Sequence, residues 1–284
     1  PNAAITINGG TLQTIGQAGM TGTLNSLTST TVTTLGPTVG ATPGTGTGAA
    51  QCANLGAAGN CQLTLGLVQI AGGKTLTIGD NPGPATTFLN IMGTGPITAG
   101  GALSNLTVRT AANASLGNIG TLATPLNSVI IDPANTVLSN ITANTINITN
   151  VSNTNALSGT DNVTLNGILT ALAPGSGGFG YDTPLLIVTN TFTNNAGANA
   201  LNAPGANRRW LVCSTSPVGN TLGGLSSNFI QYNAVYDNTM NTLVAVEKNT
   251  TTTNNGLLYS TPANITIDLV APITKTYNGL NTAT

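Results

Sequence analysis

Asn140-Ile141-Thr142-Ala143-Asn144-Thr145-Ile146-Asn147-Ile148-Thr149-Asn150 is the stretch on which the reading of this chain turns. Ile146 and Ile148 alternate with Thr145, Asn147 and Thr149, the period-two pattern of a strand with one buried and one wet face. Asparagines stand just outside the apolar positions. Where successive parallel passes of a chain stack, like residues lie above one another. Asparagine amides can then hydrogen-bond into ladders, while Ile and Val fill a continuous interior.

The same alternation recurs in Ile5-Thr6-Ile7, Leu63-Thr64-Leu65, Thr75-Leu76-Thr77-Ile78, Leu106-Thr107-Val108, Val163-Thr164-Leu165 and Ile187-Val188-Thr189. Turn chemistry separates these runs at Gly9-Gly10, Gly72-Gly73, Asn81-Pro82-Gly83-Pro84, Gly100-Gly101 and Asp132-Pro133. No segment shows a capped amphipathic helix, so the chain reads as all-β. Sandwiches and barrels share this strand spacing. The strands are short and are not paired by tight two-residue hairpin turns, which favours a parallel β-solenoid with coils of roughly 20 residues.

Composition limits what such a scaffold could do. Of 284 residues, Lys and Arg number 6, Asp and Glu 7, and His 0, for a net charge of −1. A globular protein carries about 25% charged residues; this one carries 5%. A nucleic-acid partner is excluded, because neutralising phosphates needs a dense basic surface. The one adjacent basic pair, Arg208-Arg209, reads as solvated turn residues before a strand. No membrane span is expected either: a span needs 18 or more apolar residues, and Leu185-Leu186-Ile187-Val188 is among the longest aliphatic runs. Abundant Thr, Val and Ile with little net charge argue against disorder.

Three cysteines are present. Cys52 and Cys61 flank a short Gly-containing loop and predict a disulfide worth about 2–3 kcal/mol, in an extracytoplasmic setting. A zinc site would want histidines or a second cysteine pair. Cys213 reads as a small buried apolar residue beside Trp210 and Val212. Two segments depart from the strand pattern. The stretch 41–62, Gly/Ala-rich over Ala41–Asn60, reads as a surface excursion carrying the disulfide. The Gly-rich stretch Ala173–Asp182 lacks the Lys-Ser/Thr pair of a phosphate loop and reads as a mobile loop.

Little catalytic chemistry is available. Glycoside hydrolysis needs two carboxylates within about 5–10 Å, and the acids are Asp80, Asp132, Asp161, Asp182, Asp237, Glu247 and Asp268. Asp80, Asp132 and Asp161 fall at turn signals on different coils. The serines have no histidine partner. No catalytic residue, metal site or cofactor is expected. Asn-x-Thr/Ser sequons occur at Asn105, Asn113, Asn140, Asn147, Asn150, Asn162, Asn249 and Asn264 and read as products of composition.

The C-terminal third is the most specific. Arg209-Trp210-Leu211-Val212-Cys213-Ser214-Thr215, then Leu222-Gly223-Gly224-Leu225 and Phe229-Ile230-Gln231-Tyr232-Asn233, resemble the end of the β-helix in filamentous-haemagglutinin-like large exoproteins. Asn255-Gly256-Leu257-Leu258-Tyr259-Ser260 is similar to the strand before that family's tandem repeats. Ile273-Thr274-Lys275-Thr276-Tyr277-Asn278-Gly279 is similar to the repeats' Lys-x-Tyr-Asp-Gly start, with Asn278 in place of Asp. The resemblance covers roughly 205–284. It implies a right-handed parallel β-helix, export through an outer-membrane two-partner transporter, and an extracellular or cell-surface site on a Gram-negative bacterium. The implied role is adhesion or matrix. The family's secretion domain is not visible, so the chain reads as the C-terminal part of a processed protein or a shorter relative.

The organisation expected is a β-helix over 1–204, C-terminal coils and a cap over 205–268, and an extended tail over 269–284. Trp210, Phe229, Tyr232, Tyr236 and Tyr259 concentrate scarce aromatics where an open last coil needs covering. Two functions follow. The first is a secreted adhesin or biofilm-matrix rod meeting host or matrix glycans and proteins through many weak contacts. The second is a filament subunit partnered with itself, its strand Ile273, Thr274, Lys275, Thr276, Tyr277 pairing with a neighbouring copy. A carbohydrate-active enzyme, dependent on Asp80 or Asp161, ranks third.

Overall fold

The structure is a computed structural model describing residues 5–7, 10–12, 21–29, 33–35, 61–79, 89–93, 95–149, 161–173, 182–206, 208–237, 242–244 and 254–263. Among these residues every regular element is a β-strand. Among the described residues the strand pairings are parallel, with the single exception of Val235–Asp237 against Thr242–Val244.

The parallel pairings sort into three ladders. One runs through Thr75–Gly79, the first half of Asn105–Leu116, the first half of Leu126–Leu138, the end of Ile141–Thr149, Asp182–Val188 and Arg208–Ser214. The second joins Leu89–Gly93, the second halves of Asn105–Leu116 and Leu126–Leu138, then Asn162–Leu165 and Thr191–Asn194. The third joins Ile97–Ala99, Ile119, the start of Ile141–Thr149, Leu169–Ala171 and Leu201–Asn202. Long strands thus serve two ladders. In Leu126–Leu138 the register shifts between Pro133 and Asn135, where proline, having no N–H to give to a ladder, is tolerated.

Register explains why the sequence needs so little variety. Ile78, Val108, Ile131, Ile148, Ile187, Val212 and Leu257 stand opposite one another in succession, and none is more than 3% exposed. Leu76, Leu106, Val129, Ile146, Leu185 and Trp210 form a neighbouring column. Each buried aliphatic side chain contributes roughly 1.5–3 kcal/mol of transfer free energy. Stiff β-branched residues suit an interior in which every pass presents the same shape.

Two expectations need correction. The chain returns to register after 22 residues at Asn127/Asn105, Asn135/Asn113 and Asn140/Asn118, and after 27 to 29 further on. The interval falls to 17 residues at Asn144/Asn127, so no single value of about 20 holds along the chain, because the turns between paired strands differ in length. Alternation also stops being in-and-out at the C-terminal end of the first ladder. Leu186, Val188, Leu211, Cys213, Leu258 and Ala234 form a second apolar cluster, packed by Phe229, apart from the main core. Strands here are buried on both faces, which is why Leu185-Leu186-Ile187-Val188 is an unbroken aliphatic run.

The same end departs from sequence order. Gly256–Tyr259 pairs in parallel with Arg208–Ser214 on one side and with Phe229–Tyr232 on the other. A later strand lies between two earlier ones. The excursion at 41–60, the Gly-rich residues 174–181 and the tail 269–284 lie outside the described residues.

Candidate functional site

Asparagines at the strand ends and bends carry the polar surface. Adjacent parallel strands are about 4.8 Å apart, a spacing an amide spans by donating Nδ2–H to the Oδ1 below it. Asn144 donates to Asn127 at 3.4 Å, and Asn127 to Asn105 at 2.9 Å. On the second ladder Asn162 donates to Asn135 at 3.2 Å, and Asn135 to Asn113 at 2.9 Å. That line continues at both ends: the Asn113 backbone N–H reaches Asn90 Oδ1, and Thr191 Oγ1 reaches Asn162 Oδ1. A third line runs from Asn118 through Asn140 to the backbone N–H of Ile168. The amide stacking expected from the 140–150 stretch is present, and it extends to asparagines far outside that stretch.

A surface groove of about 430 Å³ opens beside the first of these lines. Its walls are the turns Ala99–Leu103 and Ala123–Pro125, with Asn127 and Asn144 between them, and every lining residue is uncharged. Ser104, fully buried, fixes one wall: the carbonyls of Ile70 and Gly101 lie 2.8 and 2.9 Å from its Oγ and share its one hydroxyl hydrogen. Thr121 and Thr124 close the other turn on each other. Leu103 holds φ at 60° with its side chain 61% exposed. This is a left-handed conformation that a leucine adopts only at a cost of about 1–3 kcal/mol. Sequence reasoning passed over this groove, because Gly100-Gly101 and Pro125 read simply as turn signals.

The charged residues are placed otherwise than expected. Arg209 is 3% exposed inside Arg208–Ser214, its Nε donating to Thr183 Oγ1 at 3.0 Å. Arg208 is held by the Leu172 and Pro204 carbonyls. Neither is a solvated turn residue, because the strand begins at Arg208, which pairs with Asp182, and carries Arg209 into a buried position. Arg109 and Asp132 are register partners with Nε and Oδ2 3.8 Å apart, and Asp132 is buried. Asp161 is also buried, and its backbone carbonyl accepts from Thr189 Oγ1 and from the N–H groups of Asn190 and Thr191. Asp80, Glu247 and Asp268 lie outside the described residues. Among those described, no group of three or more His, Cys, Asp or Glu could hold a metal ion, and no helix is long and apolar enough to cross a membrane.

Cys61 opens the strand Cys61–Ile70, and its expected partner Cys52 lies outside the described residues. Cys213 is buried as expected, but in the second cluster, across the sheet from Trp210 and Val212, which belong to the main core. Burial pushes its thiol up to about 12.

The aromatics expected to cap the end divide between the two clusters. Trp210 and Tyr259 are buried in the main core, and Tyr232 packs on it with its ring centroid 5.4 Å from that of Tyr259. Burial first, and then the neighbouring Tyr232, raises the Tyr259 phenol. Phe229 packs on the second cluster. Tyr236 stands opposite Leu243 in the antiparallel pair. The proposed self-pairing residues 273–277 lie outside the described residues.

Comparison of the chain with protein-family models, curated proteins and solved structures finds no match.

Proposed function

We propose that this chain is an extracellular adhesin or matrix structural protein whose strands wind as a right-handed parallel β-helix. Three ladders revisited in fixed order on each pass support the winding. A parallel crossover within one sheet is right-handed in nearly every known case, which supports the hand. The family reading, with its two-partner export and cell-surface location, rests on the resemblance of residues 209–233 and 255–260, whose strands Arg208–Ser214, Gly256–Tyr259 and Phe229–Tyr232 pair side by side.

The observation that carries the functional reading is the uncharged groove built on the Asn105–Asn127–Asn144 amide line. Asn127, which donates once to Asn105 and accepts once from Asn144, keeps one N–H and one lone pair for a ligand, a pairing that suits vicinal hydroxyls. Ala102, Leu103 and Pro125 offer apolar contact to the C–H faces of a sugar ring. The ligand class is therefore a neutral glycan, bound weakly at each site and usefully only when many copies act together. The test is a glycan array and titration of the purified protein, repeated with Asn144→Leu. Binding of neutral oligosaccharides that falls at least tenfold in the variant supports the reading; equal binding by both proteins removes it.

A filament subunit is the second reading, favoured by Ile230. It stands in register with Leu257 of the core column yet is 56% exposed. An apolar position left open at the end of a column fits end-to-end contact, and low charge offers it little repulsion. Electron micrographs separate the two, as short single rods or as long fibres with a fixed axial repeat.

A further inference from the structure

We infer that the strand Gly256–Tyr259 is an exchangeable insert, and that the slot it fills accepts the same strand from a second copy of this chain. The inference rests on strand order and stands apart from the glycan reading. The slot lies between Arg208–Ser214 and Phe229–Tyr232, with Leu211 and Phe229 both opposite Gly256, and Ser214 and Tyr232 both opposite Tyr259. Both flanking strands precede the insert in the chain. Until the insert arrives, each presents a bare edge of N–H and C=O groups, which is a template for another strand.

The slot is selective for this one segment. Its four residues are all buried. Leu257 and Tyr259 enter the main core, and Leu258 enters the second cluster. A Cβ at Gly256 would fall 2.6 Å from Cε1 of Phe229, so a larger residue enters only if that ring moves. Asn255 Oδ1 accepts from the Trp210 N–H at 3.0 Å, while its backbone N–H donates to Asn228 Oδ1 at 2.8 Å. Beyond the strand, the N–H groups of Ser260 and Thr261 reach the carbonyls of Ser214 and Thr215, both at 3.0 Å. A segment of other sequence loses several of these at once. The same segment from another copy reproduces them all.

Exchange therefore changes the connection between Tyr232 and Asn255 and leaves the contacts of the slot itself as they are. The balance is set by concentration. A tethered strand competes at an effective concentration of about millimolar, so exchange shows when folding occurs at comparable protein concentration. Reciprocal exchange gives a closed dimer, and one-way exchange gives an open chain of copies.

The test uses Leu258→Cys in the full chain. Leu258 is the register partner of Cys213, in the same cluster, and adjacent parallel strands hold Cα atoms within the range a disulfide spans. The variant is unfolded, refolded at micromolar and near-millimolar concentration, oxidised and run on a non-reducing denaturing gel. Peptide mapping then identifies the bond to Cys213. The expected result is cross-linked monomer at low concentration and, at high concentration, covalent dimers and higher species carrying the 213–258 bond. Cross-linked monomer alone at every concentration overturns the inference. Should the variant not fold, isotopically heavy and light copies of the natural chain are refolded together. Mixed-mass dimers that persist on dilution sustain the inference, and monomer alone ends it.

Discussion

The ring of Phe229 lies across Gly256, filling the space a side chain on residue 256 would occupy: a Cβ there falls 2.6 and 2.8 Å from two ring carbons. Gly256→Ala must therefore displace the ring from the second cluster. Overpacking of this kind costs about 1–3 kcal/mol. Chemical denaturation should show that loss, and Phe229→Leu added to Gly256→Ala should recover part of it. If the double variant is as unstable as the two losses added together, the ring and the glycine are not coupled.

Asn135 sits mid-line, donating to Asn113 and accepting from Asn162. Asn135→Ala removes both bonds and should cost about 1–2 kcal/mol. Asn202, which is exposed and outside these lines, should change by less than about 0.5 kcal/mol on the same substitution. Equal effects at the two positions would show that the amide line adds nothing to stability.

Cys213 should resist alkylation. With its thiol pushed up to about 12 by burial, it carries almost no thiolate at pH 8. Iodoacetamide should leave the Cys213 peptide unmodified in the folded protein and modify it in denaturant. The sign of the stability effect follows. Below pH 9 the thiol is protonated whether folded or unfolded. Between 9 and 12 only the unfolded chain loses its proton, so stability falls as pH rises, by up to about 1.4 kcal/mol per pH unit. Cys213→Ala should flatten that decline, and an unchanged slope would refute the assignment.

Salt should matter little. With 13 residues among Asp, Glu, Lys and Arg in 284, long-range screening has few charges to act on. The thermal midpoint should move by less than about 2 °C between 10 and 500 mM sodium chloride, at the edge of what a fraction of a kcal/mol produces. A much larger shift would mean that the Arg109–Asp132 pair, or another ion pair, holds more of the fold together than its geometry indicates.

Much of this architecture could be read from the residues. Ile146 and Ile148 gave themselves away by alternation, and Asn140 and Asn144 by standing beside it, because both signals are local. What escaped was set by partners distant in the chain. Leu186 and Val188 look like any aliphatic pair, and only the cover supplied by Phe229 and Ala234 shows that their outer face is dry. Gly256–Tyr259 is a short apolar run that would read the same wherever it docked, so its place between two earlier strands leaves no trace in its own residues. Arg209 was misjudged because two adjacent arginines in a low-charge chain suggest a turn, whereas the Thr183 hydroxyl that accepts from one of them lies on the neighbouring strand. The groove was missed for a related reason: its turns are individually ordinary, and only stacking brings them around Asn127 and Asn144.

The amide lines bear on where this protein can be made. Asn105, Asn113, Asn140 and Asn162 each begin an Asn-x-Thr/Ser triplet, and each uses its side chain to join one strand to the next. An oligosaccharyltransferase modifies such amides as the chain emerges, replacing a hydrogen with a bulky sugar. A yeast or mammalian secretory host would thus deliver material whose seams cannot close, while a cytoplasm without that enzyme would leave them intact.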